Sequence, residues 1–135
     1  MKGGLFDTSV WVDFFRGVVN PYTDLLAEYI SNDYPVLTCP TIIQEVLQGI
    51  TNDKQFSRTK QSLIGFQLLE LPSLDASLLA VDLYRSLRKK AITIRRSNDC
   101  LIAAYALHFD VEVCHSDRDF DLIALGAPLK VVFPR

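Results

Sequence analysis

The chain has 135 residues and a net charge of −2, and it is 49% hydrophobic and 10% aromatic. That is enough apolar surface for one domain, residues 1–135, to bury a core without disulfide or metal staples. The charge excludes a molecule that holds nucleic acid by bulk basicity. No apolar run approaches the ~18 residues of a bilayer span, and MKGGLFDTS does not read as a secretory signal, so the expected location is the cytoplasm.

Leu5-Phe6 reads as a short first strand that ends at Asp7. Thr8 or Ser9 is expected to cap the helix that follows, with Val10, Trp11, Phe14 and Phe15 as its buried stripe and Gly17 as its stop. A second helix is expected over Tyr22 to Tyr34, with Leu25, Leu26, Tyr29 and Ile30 turned inward, and then a strand at Val36-Leu37-Thr38. Pro40 opens a third helix through about Ile50, on which Glu45 lies at the edge of the apolar face.

A further helix is expected from Asp53 to about Phe66, a strand from Gln67 to Leu71, and a long helix from Ser73 to Lys90. Leu74, Leu78, Leu79, Val81 and Leu83 are among the apolar positions of that helix. Ser97 or Asn98 should cap the next helix, which runs to about Phe109 and is apolar all round from Cys100 to Leu107, hence central. Asp99 lies in its first turn, where the helix dipole favours a negative charge. A strand at Val111–Cys114, a loop and short helix from Asp117 to Leu125 ended by Gly126, and a last strand at Leu129–Phe133 complete the chain. Short apolar strands alternating with helices imply a parallel sheet covered on both faces. Ligands of such sheets gather beyond the carboxyl ends of the strands.

Four acids fall on that rim, each in an apolar neighbourhood: Asp7, Glu45, Asp99 and Asp117. Four ionised carboxylates about 5 Å apart repel by roughly 3 kcal/mol per pair, about 20 kcal/mol as an upper bound. That exceeds the stability of a typical domain, so the acids protonate, stay apart or hold a cation. An all-oxygen set, with no Cys or paired His, suits Mg²⁺ or Mn²⁺ rather than Zn²⁺. Cys39, Cys100 and Cys114 are odd in number and lack a C-x-x-C spacing, so they read as buried thiols. Six cations and no acid lie between Arg85 and Arg96, either a solvated helix face or a phosphate-contacting patch.

Asp7-Thr8-Ser9, Glu45 within QEVLQG, Asp99 within NDCLIAAYAL, and SDRDFD at 116–121 together resemble the motifs of PIN-domain ribonucleases, over the full length of the chain. The closest resemblance is to the VapC toxins of toxin–antitoxin pairs. It implies a three-layer α/β/α fold around a short central parallel sheet, Mg²⁺- or Mn²⁺-dependent cleavage of RNA, a homodimer, and a cognate VapB-type antitoxin. Carried onto this chain, it makes Asp7, Glu45, Asp99 and Asp117 the catalytic and metal-binding acids, with Asp119 as an auxiliary metal-binding acid. Relatives commonly have Thr two positions before the fourth acid, where this chain has His115.

Arg95 and Arg96 stand out as cations for the RNA backbone, and Thr8 as a cap that also orders the metal site and joins them as a substrate-binding residue. His108 is expected in the core or at its boundary, and Asp121 as a structural cap. Trp11, Phe14 and Phe15 match core spacing rather than a base-stacking platform. Two other readings remain: a non-catalytic PIN-like interaction module, which would show gaps in the acidic set, and a phosphatase or phosphotransfer receiver, which would want tandem acids before the first helix. GLFDTS supplies only one such acid.

Overall fold

The computed structural model describes residues 3–134. Five parallel strands, β1 (Gly4–Phe6), β2 (Val36–Thr38), β3 (Gln67–Leu68), β4 (Glu112–Cys114) and β5 (Val131–Val132), form a sheet in the order β3-β2-β1-β4-β5. Leu5 lies opposite Leu37 on one side and Val113 on the other, and Phe6 lies opposite Cys114. All three residues of β1 and of β2 are buried, Thr38 included, as suits the inner strands of a covered parallel sheet.

Between the strands run α1 (Thr8–Phe15), α2 (Pro21–Ser31), α3 (Pro40–Gln48), α4 (Asp53–Leu63), α5 (Ser73–Lys89), α6 (Ser97–Phe109) and α7 (Arg118–Gly126). They make the three-layer α/β/α arrangement expected of alternating elements. The core is centred on Phe6, Trp11, Leu26, Ile42, Ile102, Phe120 and Ile123, all without solvent exposure. Each contributes about 1.5–3 kcal/mol relative to remaining in water. Trp11 is the hub of an aromatic group that includes Phe6, Phe14, Phe15 and Phe66.

Several boundaries differ from those expected. Asp7, not Thr8 or Ser9, caps α1, because its carboxylate accepts from the Ser9 N–H. The second helix begins at Pro21, capped by Asn20 in a reciprocal box with Thr23, and ends at Ser31. Just beyond, Asp33 takes φ 56, a conformation that stops a helix. The strands β3 and β5 shrink to two residues each. Neither Ser97 nor Asn98 caps α6; Arg96 occupies the cap, and its backbone N–H is satisfied by Asp119 Oδ2 at 3.3 Å. On α5 the buried residues are Ala76 and Leu87, while Leu74, Leu78, Leu79 and Val81 face outward. His108 is exposed rather than in the core. No helix among the described residues is long and apolar enough to cross a membrane.

Candidate active site

The chain passes from β1 to β2 on one side and later enters β4 on the other side of β1. Such a reversal opens a crevice at the carboxyl ends of the two central strands. Asp7 leaves the end of β1, and its N–H donates to Cys114 O at 2.9 Å, extending the β1–β4 pairing into the rim. Asp117 caps α7 just past β4, and Asp99 enters from above on the first turn of α6.

Three acids converge tightly. Asp99, Asp117 and Asp119 each offer a ligand atom, all within 4.8 Å of one another. Asp119, which sequence resemblance made auxiliary, is in this triad, 1% exposed. Asp7 stands beside the triad and raises the pKa of Asp99 through its charge. Glu45 is set apart: its Oε1 accepts from Thr8 Oγ1 at 2.7 Å, and its Oε2 accepts from Asn98 Nδ2 at 3.5 Å. Thr8 is therefore engaged in aiming Glu45 and has its hydroxyl proton committed there. Arg96 reaches Asp117 Oδ2 at 3.7 Å with its side chain 69% exposed, and Arg95 is exposed next to it.

The electrostatics are those of an unneutralised anionic centre. Burial pushes the Asp7 carboxyl up to about 6, although hydrogen bonds from Ser9 and Thr8 pull it down. Asp99 is pushed up to about 8, by burial first and then by the charges of Asp7 and Asp117. Three carboxylates about 4.8 Å apart would repel by roughly 3 kcal/mol per pair. Asp99 Oδ2 is buried with no hydrogen-bond partner among the described residues. A buried polar atom that no protein group satisfies is costly, and this one belongs to an acid of the triad. A divalent cation would satisfy it and cancel the repulsion, and the all-oxygen donors fit a hard ion.

A scaffold of short hydrogen bonds holds the acids. Ser9 Oγ donates to Asp7 Oδ2 at 3.0 Å and accepts from Ser116 Oγ at 3.1 Å. The Asp119 N–H donates to Asp117 Oδ1 at 2.9 Å. His115 is buried, and burial lowers its pKa, so its ring is neutral. Its Nδ1 accepts the Asp117 N–H at 3.1 Å, which places the ring proton on Nε2. Nε2 lies 3.3 Å from Asp121 Oδ1, off the line of a straight hydrogen bond. Asp121 is thus a partner of His115 rather than a helix cap. Nothing in the structure explains the unpaired Nε1 of Trp11. The three cysteines are free, buried and held well above the usual thiol range, hence unreactive.

Sequence reasoning missed Asn98, Ser9 and Ser116 as parts of the site. Ser9 and Ser116 stand inside the motifs that carry Asp7 and Asp117, which was the available signal. Asn98 reaches across 53 positions to Glu45, and no local pattern announces such a contact.

The fold and rim define a parallel α/β protein with an acidic, metal-binding type of centre at its topological switch point. The chain belongs to the PIN-domain family, whose model matches residues 5–125. It is 31% identical over 121 residues to VapC ribonuclease Mb1587 of Mycobacterium bovis, covering 89% of this chain and 90% of the relative. The same figures hold for ribonuclease VapC11 of Mycobacterium tuberculosis. Among solved structures, VapBC2 from Rickettsia felis, bound to a promoter DNA fragment, superposes with a TM-score of 0.74 at 14% identity, covering 96% of this chain and 97% of that one. FitAcB from Neisseria gonorrhoeae gives 0.73 at 20% identity, with 97% of each chain covered. VapBC-5 from Mycobacterium tuberculosis gives 0.68 at 21%, with 98% of each covered. At these identities the structures speak for the fold.

Proposed function

We propose that this protein is a Mg²⁺- or Mn²⁺-dependent endoribonuclease, the toxin of a VapBC-type pair, acting in the cytoplasm as a homodimer and restrained by a VapB-type antitoxin. The observation that carries the reading is the convergence of Asp99, Asp117 and Asp119, with Asp99 keeping a buried oxygen that no described protein group satisfies. Kinship with VapC ribonucleases supplies the substrate class.

Asp99, Asp117 and Asp119 would hold the ion, with Asp7 and Glu45 at the edge of its site. When bound, such an ion neutralises phosphate charge and lowers the pKa of a water that attacks the phosphodiester. The remaining residues orient. Ser9 fixes Asp7, Thr8 and Asn98 fix the two oxygens of Glu45, and His115 fixes the backbone of Asp117. Arg96 has only a solvent-exposed contact to Asp117, which is weak. Its guanidinium is free to turn to an RNA phosphate, with Arg95 beside it.

The non-catalytic alternative expects an incomplete acidic set, and here Asp7, Glu45, Asp99, Asp117 and Asp119 are all present. Mapping of RNA 5′ ends after brief induction tests the reading. New ends should appear with the wild type and be absent with Asp99→Asn; identical maps for the two would reject a nuclease centred on these acids.

A further inference from the structure

A groove opens beside Glu45, bounded by α1, α3 and the start of α4. Its inner part, about 200 Å³, is lined among others by Phe15, Arg16, Glu45, Gly49 and Gln55. Its outer part, about 500 Å³, shares Phe15 and Gln55 and adds Lys54 and Arg58. We propose that the inner part of this groove is a subsite for one unpaired base of the RNA adjacent to the scissile phosphate, and that the outer part carries the strand onward. The proposal rests on the nuclease reading and gives that site its means of sequence discrimination.

Continuity comes first. Glu45 lines the groove and is hydrogen-bonded to Thr8 and Asn98, the chain neighbours of Asp7 and Asp99, which sets the groove beside the acidic rim. Charge comes second. Arg16, Lys54 and Arg58 line the groove against the single acid Glu45, in a chain of net charge −2. That local excess suits a polyanion.

Shape and chemistry come third. Single-stranded RNA is read by splaying a base against an aromatic side chain and hydrogen-bonding its edge. Phe15 is only partly buried, and its ring is held at 19° to that of Trp11, 5.7 Å away, so its orientation is set by packing. Gln55 is exposed on α4 and offers both a donor and an acceptor. Gly49 keeps the groove open. It has φ −80, and a Cβ built on it would meet only Val46 O at 3.7 Å and Glu45 O at 3.8 Å. A larger side chain is therefore accepted by the backbone and projects from a wall of the groove.

The test uses the full chain with Gly49→Leu and Gln55→Ala, neither of which disturbs the core. A single-stranded RNA pool of randomised sequence is cut with Mn²⁺, and the base frequencies beside each cut are read by sequencing. Wild type should prefer particular bases at one flanking position; both variants should flatten that preference and raise KM about tenfold. Binding is read separately by fluorescence anisotropy on the Asp7→Asn background, where Gly49→Leu should weaken binding of uncut RNA about tenfold. Unchanged base preference and unchanged RNA binding in both variants would overturn the proposal. Retained RNA behaviour with loss of a co-expressed antitoxin would assign the groove to a protein partner instead, and would overturn it too. If wild type cuts no RNA, the nuclease reading fails, and the anisotropy comparison still decides the groove.

Discussion

Asp7→Asn should stabilise the ion-free protein, and by an amount that depends on pH. Folding raises the Asp7 carboxyl from an ordinary 3.8 to about 6, chiefly by burial. Each pH unit of such a rise is worth about 1.4 kcal/mol, so the ionised side chain costs the fold about 3 kcal/mol at pH 8. The sign follows from which form the fold prefers. Below pH 4 the carboxyl is protonated in both folded and unfolded chains, and the penalty vanishes. As pH rises through about 6, the folded state must either give up a proton it holds more tightly than the unfolded chain or keep it at a growing cost, so stability falls. Asn keeps the volume and one oxygen for the Ser9 hydrogen bonds, and does not ionise. At a few degrees per kcal/mol for a chain of this length, its melting temperature in EDTA should exceed wild type by about 10 °C at pH 8. The gap should be near zero at pH 4. Adding Mn²⁺ at a hundredfold excess over its Kd should add about 2.7 kcal/mol to wild type, and should narrow the gap to the extent that Asp7→Asn weakens the ion's binding. The assay is thermal unfolding by circular dichroism across pH, with and without Mn²⁺. A wild type more stable than Asp7→Asn in EDTA at pH 8, or a gap independent of pH, would refute the reasoning.

Thr8→Val should lower cleavage about tenfold without unfolding the protein, because it removes only the 2.7 Å bond that aims Glu45; single-turnover rates check this, and an unchanged rate would leave Glu45 without a role that depends on its aim. Replacing Arg95 and Arg96 by Gln should weaken RNA binding across sequences and flatten its salt dependence by about 1.4 in the log–log slope for a single strand; an unchanged slope would assign both to a solvated face. Co-expression with the product of an adjacent small reading frame should rescue growth, and its tail should place an Arg or Lys near Asp7, Asp99 or Asp117; normal growth of cells making this protein alone, with no product bound, would end the toxin–antitoxin reading.

The order of helices and strands was legible because the inner strands β1 and β2 are fully buried, α3 carries a clear apolar stripe, and α6 is apolar all round as a central helix should be. Asp7 and Asp117 could be placed on one rim from that order alone, since both follow strands. What escaped local reading was set by distant partners. Arg96 takes the cap position of α6, its N–H held by Asp119, 23 positions on, so Ser97 and Asn98 gave a misleading local signal. Asp119 was expected as an auxiliary metal-binding acid, and the turn made by Asp117 and His115 brings it fully into the triad. Phe15 fits a core stripe by spacing, and only the packing of α3 and α4 leaves it lining a groove. Leu74, Leu78 and Leu79 of α5 match a helical period that the fold leaves outward.

The most direct test of the central account is cleavage of single-stranded RNA by purified protein, titrated with Mg²⁺ and Mn²⁺ beside Asp99→Asn and Asp119→Asn. The account predicts that EDTA abolishes cleavage, that either ion restores it to wild type, and that both variants stay folded and inactive at every ion concentration. Full cleavage in EDTA, or wild-type rates in both variants, would contradict it.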